Sequence, residues 1–225
     1  MKAIIFDLDD TLYDCTKQVI FKAINDAVKA MKKAGLPFNA EKFASDIKKR
    51  KGRDTFRVAI DNTFRLKKYR TNDSQKFMKV ANKKYYNHSD VSNIKLFPGA
   101  EKLLKDLKKR KMKLALVSTG TKKQQMRKVK NLKLNKYFDV VAINDVFKKK
   151  GKGYHFKKIM KKFKLKPKDV LVVGNKPSSE IKAGNKLGIK TVQVTVVCDY
   201  KPKYKIEKPD FKIKNVTDLS RILEG

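Results

Sequence analysis

The sequence predicts an α/β fold with a Rossmann-like, mostly parallel sheet as its core and an inserted α-helical domain. Short apolar segments alternate with amphipathic helical patterns over most of the chain, which is typical of βαβ units. This alternation is interrupted between residues 14 and 94, where only helical patterns occur. Hydrophobic residues make up 40% of the 225 residues, which is enough for a sizeable interior.

The strands are predicted from apolar runs that end in polar side chains. Each run has the length and the aliphatic composition of a buried strand. The five segments are Lys2–Asp9, Lys113–Gly120, Phe138–Asn144, Asp169–Asn175 and Lys190–Val196. In an open parallel sheet, ligands bind at the carboxyl ends of the strands, so we expect the functional residues at the polar ends of these segments.

Helices are predicted between these strands from apolar residues at helical spacing. The repeating positions are Ala100, Leu103, Leu104 and Leu107; Met126, Val129 and Leu132; and Phe156, Ile159, Met160 and Phe163. The C-terminal segment reads as a last helix with Thr217 as a candidate N-cap.

The inserted domain follows the first strand. Its clearest helix repeats apolar residues and is ended by Gly35 and Pro37. The repeating positions are Val19, Ile20, Ala23, Ile24, Ala27, Val28 and Met31. We therefore predict an α/β core made of residues 1–13 and 95–225, with residues 14–94 forming a helical cap domain.

The composition is strongly basic. Lys and Arg number 58 against 22 Asp and Glu, a formal net charge of +36. This charge predicts attraction for small phosphorylated molecules and nonspecific affinity for nucleic acid or other polyanions. The lysines are distributed over most predicted helices without a nucleic-acid-binding signature, which disfavours a dedicated site. Because no apolar run has the length of a membrane span and no secretion signal is evident, we expect a soluble, cytoplasmic protein.

Two carboxylates end the first strand. Asp7 and Asp9 are two residues apart, so an extended chain places them on the same side. Like charges this close need a cation, a shared proton or strong hydrogen bonding, which favours a functional site. A divalent ion such as Mg²⁺, which prefers oxygen ligands, would satisfy both carboxylates. The alternative is that an acid here caps the following helix, which Asp10 or Asp14 would also be able to do.

The segment FDLDDTL, residues 6–12, resembles the first motif of the haloacid dehalogenase-like hydrolases. Residues 96–120 are similar to the family's second segment, KKKGKGYHF at residues 148–156 corresponds to its lysine segment, and Val170 to Gly184 is similar to its fourth motif. The amino-acid sequence of these segments is most similar to that of archaeal members with an inserted helical cap. The resemblance implies the Rossmann-like core with a cap that the periodicity also predicts.

The resemblance implies roles for the two carboxylates. Asp7 corresponds to the nucleophile that attacks a phosphoryl group and forms an aspartyl-phosphate. Asp9 corresponds to the acid that protonates the leaving oxygen and then activates water. The family's halide-removing branch lacks an acid at this second position, so Asp9 favours phosphatase chemistry.

Further positions are implied to bind the substrate phosphoryl group. Ser118 ends the second segment and would hydrogen-bond the phosphoryl oxygens, with Thr11, Thr119 and Gly120 beside it. The alternative for Ser118 is a strand-end hydroxyl that bonds the local backbone.

The family's lysine neutralises charge on the phosphoryl oxygens. Counting back from Phe156, the start of the apolar face of the next helix, favours Lys150. Lys152, in a glycine-flanked loop, is the alternative. The proline that usually follows this lysine is replaced by Gly151, so the alignment leaves both lysines open.

The fourth motif departs from the family pattern at one position. The residue after Gly174 is usually an aspartate that binds Mg²⁺, and here it is Asn175, with Glu180 as the following acid. An asparagine keeps a carbonyl oxygen for a hard cation but has no negative charge, so weaker metal affinity is expected. The implied metal set is Asp7, Asp9, Asn175 and Glu180.

The function that these residues imply is a Mg²⁺-dependent phosphatase acting on a small phosphomonoester. A phosphomutase keeps the same first-motif acids and remains an alternative. The second alternative, based on Asn175 and the net charge, is a catalytically weakened protein that binds phosphorylated ligands or polyanions.

Overall fold

The structure, a computed structural model, describes residues 1–51, 56–86, 90–145 and 150–224. The chain divides into two compact units: a larger one formed by Met1–Cys15 and Val91–Gly225, and a smaller one formed by Thr16–Asp90. The larger unit contains the sheet, and the described residues of the smaller unit are helical or irregular. This confirms the predicted α/β fold class. The use of the smaller unit as a cap stays a prediction.

Six parallel strands form one sheet in the order β3-β2-β1-β4-β5-β6. The strands are β1 (Ala3–Phe6), β2 (Lys113–Gly120), β3 (Val140–Asp145), β4 (Val170–Gly174), β5 (Lys190–Val194) and β6 (Phe211–Ile213). The first five lie on the predicted segments. Strand β6 was not predicted, because three residues are too few to show an apolar period and none of them is buried.

The α-helices of the described residues are numbered in chain order. They are α1 (Phe21–Lys33), α2 (Ala40–Lys51), α3 (Phe56–Phe64), α4 (Ser74–Tyr86), α5 (Ala100–Lys109), α6 (Lys122–Asn131), α7 (Gly151–Phe163), α8 (Lys182–Asn185) and α9 (Leu219–Glu224). None of them has the length and apolar composition that a membrane span requires.

Strand β1 lies in the middle of the sheet because all four of its side chains are buried. Phe6 is in register with Leu116 of β2 on one side and with Val173 of β4 on the other. The chain adds β2 and β3 on one side of β1 and then crosses to β4 on the other. Such a reversal opens a crevice at the carboxyl ends of β1 and β4, where ligands bind in sheets of this kind.

The sheet of the larger unit is covered by helices. Ile5 of β1 and Val172 of β4 belong to one apolar cluster with Phe156 and Ile159 of α7. This packing fixes the start of α7 relative to the end of β1. A residue in the first turn of α7 is therefore held close to the carboxyl end of the sheet.

The smaller unit has its own apolar core. Helix α1 buries Ala23, Ile24, Ala27, Val28 and Met31, which confirms the helical pattern read from the sequence. The aromatic ring of Phe43 in α2 packs among other aromatic rings of the unit, including Phe64 and Tyr69.

Two details of the predicted helices were wrong. In α6, Met126 is exposed, whereas Gln125 and Lys128 take buried positions on the inner face. At the C-terminus, a 3₁₀ turn over Val216–Asp218 precedes α9, and the backbone N–H of Asn215 donates to Asp218 Oδ2. Thr217 therefore lies inside this turn and is not the N-cap.

Candidate active site

A tight turn follows β1 and places its acidic residues. The Asp7 N–H donates to the Val173 carbonyl oxygen, which extends the pairing of β1 with β4 by one residue. The chain then turns, with the Leu12 N–H donating to the Leu8 carbonyl oxygen and Asp10 in the left-handed region at φ 59°. Aspartate tolerates this conformation better than most residues. The turn brings the Thr11 hydroxyl back to within 3.5 Å of Asp7 Oδ2.

Lys152 bridges two buried carboxylates at the carboxyl end of the sheet. Its Nζ is 2.6 Å from Asp7 Oδ1 and also donates to Glu180 Oε1. All three side chains are buried, at 5% exposure or less for Lys152 and Glu180 and 6% for Asp7. One ammonium group thus joins the ends of β1, α7 and the segment after β4.

Lys150, which we favoured as the catalytic lysine, lies elsewhere. Its side chain is exposed, and its Nζ is 4.8 Å from the centroid of the Tyr154 ring. Lys152 sits one position inside α7 from its first residue, where the packing of Phe156 against the sheet directs it inward. The geometry therefore supports the alternative, Lys152. Residues 148 and 149 of the lysine segment lie outside the described residues.

Glu180 reaches Lys152 because Gly174 has no side chain. A Cβ at Gly174 would lie 2.4 Å from Glu180 Cγ, closer than any real contact. Glu180 belongs to a π-helical turn over Pro177–Ile181, and its Oε2 accepts the Lys176 N–H at 3.0 Å. The glycine of the fourth motif is therefore required for the packing of the acid that follows it.

Burial and charge act in opposite directions on these groups. For Asp7, burial and the nearby Glu180 carboxylate raise the pKa, and Lys152 only partly offsets them. For Glu180, burial also raises the pKa, but Lys152 and neighbouring donors outweigh it and hold the pKa below its usual value. Burial lowers the pKa of Lys152, yet the two carboxylates raise it above its usual value, so this side chain stays charged.

Asn175 is buried at the end of β4 with both polar atoms of its side-chain amide unpaired among the described residues. A buried amide without a partner is costly and rare in native proteins, so it indicates a group that binds there. The amide oxygen of Asn175 and the carboxylates of Asp7 and Glu180 are hard oxygen donors on the segments that follow β1 and β4. Mg²⁺ typically takes one or two carboxylates and completes its shell with water or substrate phosphate, so these residues fit that ion.

Ser118 and its neighbours line the end of β2. The Ser118 side chain is fully buried, and its Oγ accepts a hydrogen bond from Gln125 Nε2. Thr119 is exposed and accepts a hydrogen bond from Asn144 Nδ2 at 3.2 Å. Gly120 leaves space for Gln125, because a Cβ there would lie 2.9 Å from Gln125 Cγ. Of these three, Ser118 is the one linked to the acidic residues.

Asp9 has an ammonium partner of its own, Lys128. Lys128 Nζ lies 2.9 Å from both carboxylate oxygens, Gln125 Nε2 donates to Oδ2 at 3.0 Å, and the Tyr13 hydroxyl donates to Oδ1 at 2.8 Å. These contacts use about four acceptor positions, the number that a carboxylate offers. The Asp9 oxygens are therefore held by donors from α6 and from Tyr13, and the sharing of one cation by Asp7 and Asp9 stays a prediction.

The pKa of Asp9 reflects these contacts. Burial would raise it, but the charge of Lys128 and the hydrogen bonds from Lys128, Gln125 and Tyr13 hold it below its usual value. Sequence reasoning missed Gln125 and Lys128. The available signal was their spacing of three residues on the stripe that also carries Val129 and Leu132, where a helix buries its side chains.

The site combines a buried carboxylate, a second carboxylate two residues later, a fixed ammonium group and an unpaired amide oxygen. Such a set is able to bind an anionic group and to attack it with a carboxylate oxygen. The second carboxylate, Asp9, keeps 28% exposure of its side chain.

Comparisons with known proteins identify the family of the chain. The family model for haloacid dehalogenase-like hydrolase matches residues 4–194. The chain is 30% identical to the glyceraldehyde 3-phosphate phosphatase of Methanocaldococcus jannaschii, over all of this chain and 98% of that protein. It is 27% identical to the phosphoglycolate phosphatase of Aquifex aeolicus, with the same coverage.

The fold is also similar to a solved structure. A haloacid dehalogenase-like family hydrolase from Streptococcus pneumoniae aligns with a TM-score of 0.66 and 18% identity, over 99% of this chain and 98% of that chain. The resemblance of the four motifs is thereby confirmed at the level of the family. The chain belongs to the haloacid dehalogenase-like hydrolases.

Proposed function

We propose that this protein is a Mg²⁺-dependent phosphatase that hydrolyses a small phosphomonoester through an aspartyl-phosphate at Asp7. The observation that supports it most directly is the buried bridge from Lys152 to Asp7 and Glu180. A structural role alone explains it poorly, because burying an ion pair seldom stabilises a fold more than apolar residues would. The positive charge of Lys152 would also attract the phosphoryl group of a substrate.

In this proposal the chain's own residues carry out the following steps. A carboxylate oxygen of Asp7 attacks phosphorus, and the bond from phosphorus to the ester oxygen breaks. Asp9, when protonated, gives its proton to that oxygen, and the alcohol leaves. Asp9 then takes a proton from a water that attacks the aspartyl-phosphate, which releases inorganic phosphate and restores Asp7.

Lys152 and Ser118 would hold the phosphoryl oxygens during both steps. The Lys152 ammonium is fixed by two carboxylates, so it needs little reorganisation as negative charge develops. The Ser118 hydroxyl, held by Gln125, can turn its own hydrogen toward a phosphoryl oxygen.

Mg²⁺ would be held by Asp7, Glu180 and the amide oxygen of Asn175. When bound, the ion would screen the repulsion between the Asp7 carboxylate and the phosphoryl oxygens. With an amide in place of a third carboxylate, we expect weaker metal affinity and a larger share of the ligands to come from substrate and water.

The proposed substrate class is based on the names of two relatives. The Methanocaldococcus and Aquifex proteins are named for glyceraldehyde 3-phosphate and phosphoglycolate, which are both small phosphorylated carbon compounds. We propose a substrate of the same class for this chain. The net charge of +36 favours the approach of any such anion.

The test is phosphate release from glyceraldehyde 3-phosphate, phosphoglycolate and an aryl phosphate, with Mg²⁺ and with a chelator. We expect Mg²⁺-dependent release by the native chain and its loss in Asp7→Asn. Absence of release from all three esters in the presence of Mg²⁺ would overturn the proposal. Transfer of the phosphoryl group to a second sugar hydroxyl, without free phosphate, would instead support a phosphomutase.

A second candidate is a weakened family member that binds polyanions. The outer face of α7 carries four exposed lysines, Lys157, Lys158, Lys161 and Lys162, and none of them forms an ion pair with a described residue. Replacing these four by Gln should weaken binding to nucleic acid and reduce its salt dependence. Loss of all native binding at physiological salt, with phosphatase activity intact, would remove this candidate.

A further inference from the structure

Helix α6 contacts the site through two side chains, and their hold on Asp9 has no part in the function proposed above. Lys128 Nζ lies 2.9 Å from each oxygen of Asp9, and Gln125 Nε2 contacts both Asp9 Oδ2 and Ser118 Oγ. Both side chains are buried, Gln125 at 2% exposure and Lys128 at 7%. These two residues connect the end of β1 to the end of β2.

The burial of Lys128 needs a cause. Moving an ammonium group out of water costs several kcal/mol, and an apolar residue would fill this helix position at lower cost. Its ion-pair partner among the described residues is Asp9, and Cys15 Sγ lies near it at 3.7 Å. The charge of Lys128 therefore serves Asp9 rather than the general stability of the core.

The local sequence places both side chains. Thr121 is the N-cap of α6, and its hydroxyl oxygen accepts the Gln124 N–H. Residues three apart in a helix lie on one face, so Gln125 and Lys128 point the same way. Gly120 leaves the space that Gln125 occupies, because a Cβ added at residue 120 would lie 2.9 Å from Gln125 Cγ.

The donors to Asp9 differ in how many of its carboxylate oxygens they contact. Tyr13 and Gln125 each hold one oxygen, whereas Lys128 holds both. One oxygen can therefore turn to a substrate while Lys128 keeps its bond to the other. This leaves the carboxylate oriented during a proton transfer, which a single bond would not do.

We propose that Lys128 and Gln125 are positioning residues, which hold Asp9 and Ser118 in the orientation needed to protonate the leaving oxygen and bind the phosphoryl group. The inference rests on the phosphatase function proposed above. Gln125 and Lys128 lie three positions apart in α6. Neither belongs to the four family motifs identified in this sequence.

The test compares phosphate release from esters with good and poor leaving groups. An aryl phosphate with an acidic phenol needs little help from an acid, whereas an alkyl phosphate needs a proton on its leaving oxygen. The variants are Lys128→Met, Lys128→Arg and Gln125→Met, with Lys130→Met as the control, because Lys130 is an exposed lysine of the same helix.

For Lys128→Met we expect kcat on the alkyl ester to fall by about 100-fold, and on the activated aryl ester by about tenfold or less, with KM little changed. Lys128→Arg should recover part of the loss, and Lys130→Met should match the native chain. If Lys128→Met does not fold, as judged by circular dichroism, Gln125→Met is expected to show the same dependence on the leaving group with a smaller loss.

Equal losses on both esters, or native rates in the folded variants, would overturn the inference and leave the phosphatase proposal standing. A native chain that releases no more phosphate than Asp7→Asn from either ester would overturn the phosphatase proposal, and the inference with it. The comparison of native chain with Asp7→Asn thus separates the two failures.

Discussion

The Nζ of Lys152 lies 2.6 Å from Asp7 Oδ1 and donates a second hydrogen bond to Glu180, so one ammonium group balances two buried carboxylates. The three residues come from segments far apart in the chain. Together they hold the carboxylate that we propose as the nucleophile, a cation and the carboxylate that we propose as a metal ligand in one place. The first three predictions below follow from that arrangement.

Lys152→Met should remove the charge from the site while keeping a side chain of similar length. Asp7 and Glu180 would then face each other in a buried position, and we expect a loss of about 3–5 kcal/mol in the free energy of unfolding. Phosphate release should fall by at least about 100-fold. Chemical denaturation and a steady-state assay measure the two effects.

The control for this variant is Lys150→Met, since the Lys150 ammonium contacts the exposed Tyr154 ring. It should keep native activity to within about twofold and change stability by less than about 0.5 kcal/mol. A large loss of activity in Lys150→Met, with Lys152→Met still active, would reverse our assignment of the catalytic lysine.

Asn175→Asp should increase affinity for Mg²⁺. A third carboxylate near Asp7 and Glu180 strengthens the attraction for a divalent ion, by at least about tenfold, or 1.4 kcal/mol. Without metal the same charge is repelled by its neighbours, so the variant should unfold at a lower temperature than the native chain. Thermal unfolding at increasing MgCl₂ measures both effects without an activity assay.

Asn39→Asp provides the matched control, because it adds the same charge in the smaller unit at a residue whose oxygen already accepts a backbone N–H. We expect no change in the response to Mg²⁺ from it. Equal stabilisation of native chain and Asn175→Asp by Mg²⁺ would count against a metal role for residue 175.

Gly174→Ala should displace Glu180. The added methyl group would lie 2.4 Å from Glu180 Cγ and 2.7 Å from its Cβ, so the segment after β4 has to move. We expect a loss of about 1–3 kcal/mol in unfolding free energy and a weaker response to Mg²⁺. Gly153→Ala in α7 is the control, because its new methyl group meets Ala183 at an ordinary 3.9 Å.

At Gly153 the substitution should be neutral or stabilising by up to about 1 kcal/mol, since alanine favours helix and restricts the unfolded chain. Urea denaturation of the two alanine variants gives the comparison. Equal stability of Gly174→Ala and the native chain would show that Glu180 does not need the position that it takes here.

Asp139→Asn should reduce stability at neutral pH but not in acid. The Asp139 carboxylate accepts Lys108 Nζ at 2.8 and 3.0 Å and the Leu114 N–H at 2.8 Å. Burial would raise its pKa, but these bonds outweigh it and hold the pKa below its usual value. A lowered pKa means that the carboxylate stabilises the fold above its unfolded pKa of about 3.9, and that this contribution is lost as pH falls through the folded pKa.

The measurement is the difference in melting temperature between the native chain and Asp139→Asn at several pH values. The difference should be largest near pH 7 and shrink below about pH 4. Asp106→Asn removes a looser ion pair of 3.9 Å on an exposed helix face and serves as the control. A difference that stays constant down to pH 3 would contradict the role given to the Asp139 charge.

Much of the fold could be predicted because its signals are local. Apolar runs such as Lys113–Gly120 coincide with a strand of the structure, and the helix over Phe21–Lys33 buries the residues that its spacing predicted. Strand β6 escaped prediction because its three residues are stabilised by pairing with β5, a contact distant in sequence.

For the candidate site, the sequence alone was enough to predict which residue types lie at the strand ends: Asp7 and Asp9 after β1, Ser118 in β2, and Asn175 after β4. These positions follow from the period of the strands and from the motif order. The tertiary structure decided which lysine serves which acid. Lys150 and Lys152 are the same residue type and lie two positions apart, so the sequence does not distinguish them. The packing of Phe156 against the sheet turns Lys152 inward.

The same physical reason applies to α6. From its apolar spacing, Met126 looked like a buried position, yet Gln125 and Lys128 occupy the inner face because the carboxylate of Asp9 and the hydroxyl of Ser118 are there to receive them. Burying a polar side chain costs less where a partner compensates for the lost water. The partner that Gln125 and Lys128 share, Asp9, lies more than a hundred residues away in the chain. Local pattern determined the elements, and the pairing of buried charges was decided by the assembled sheet.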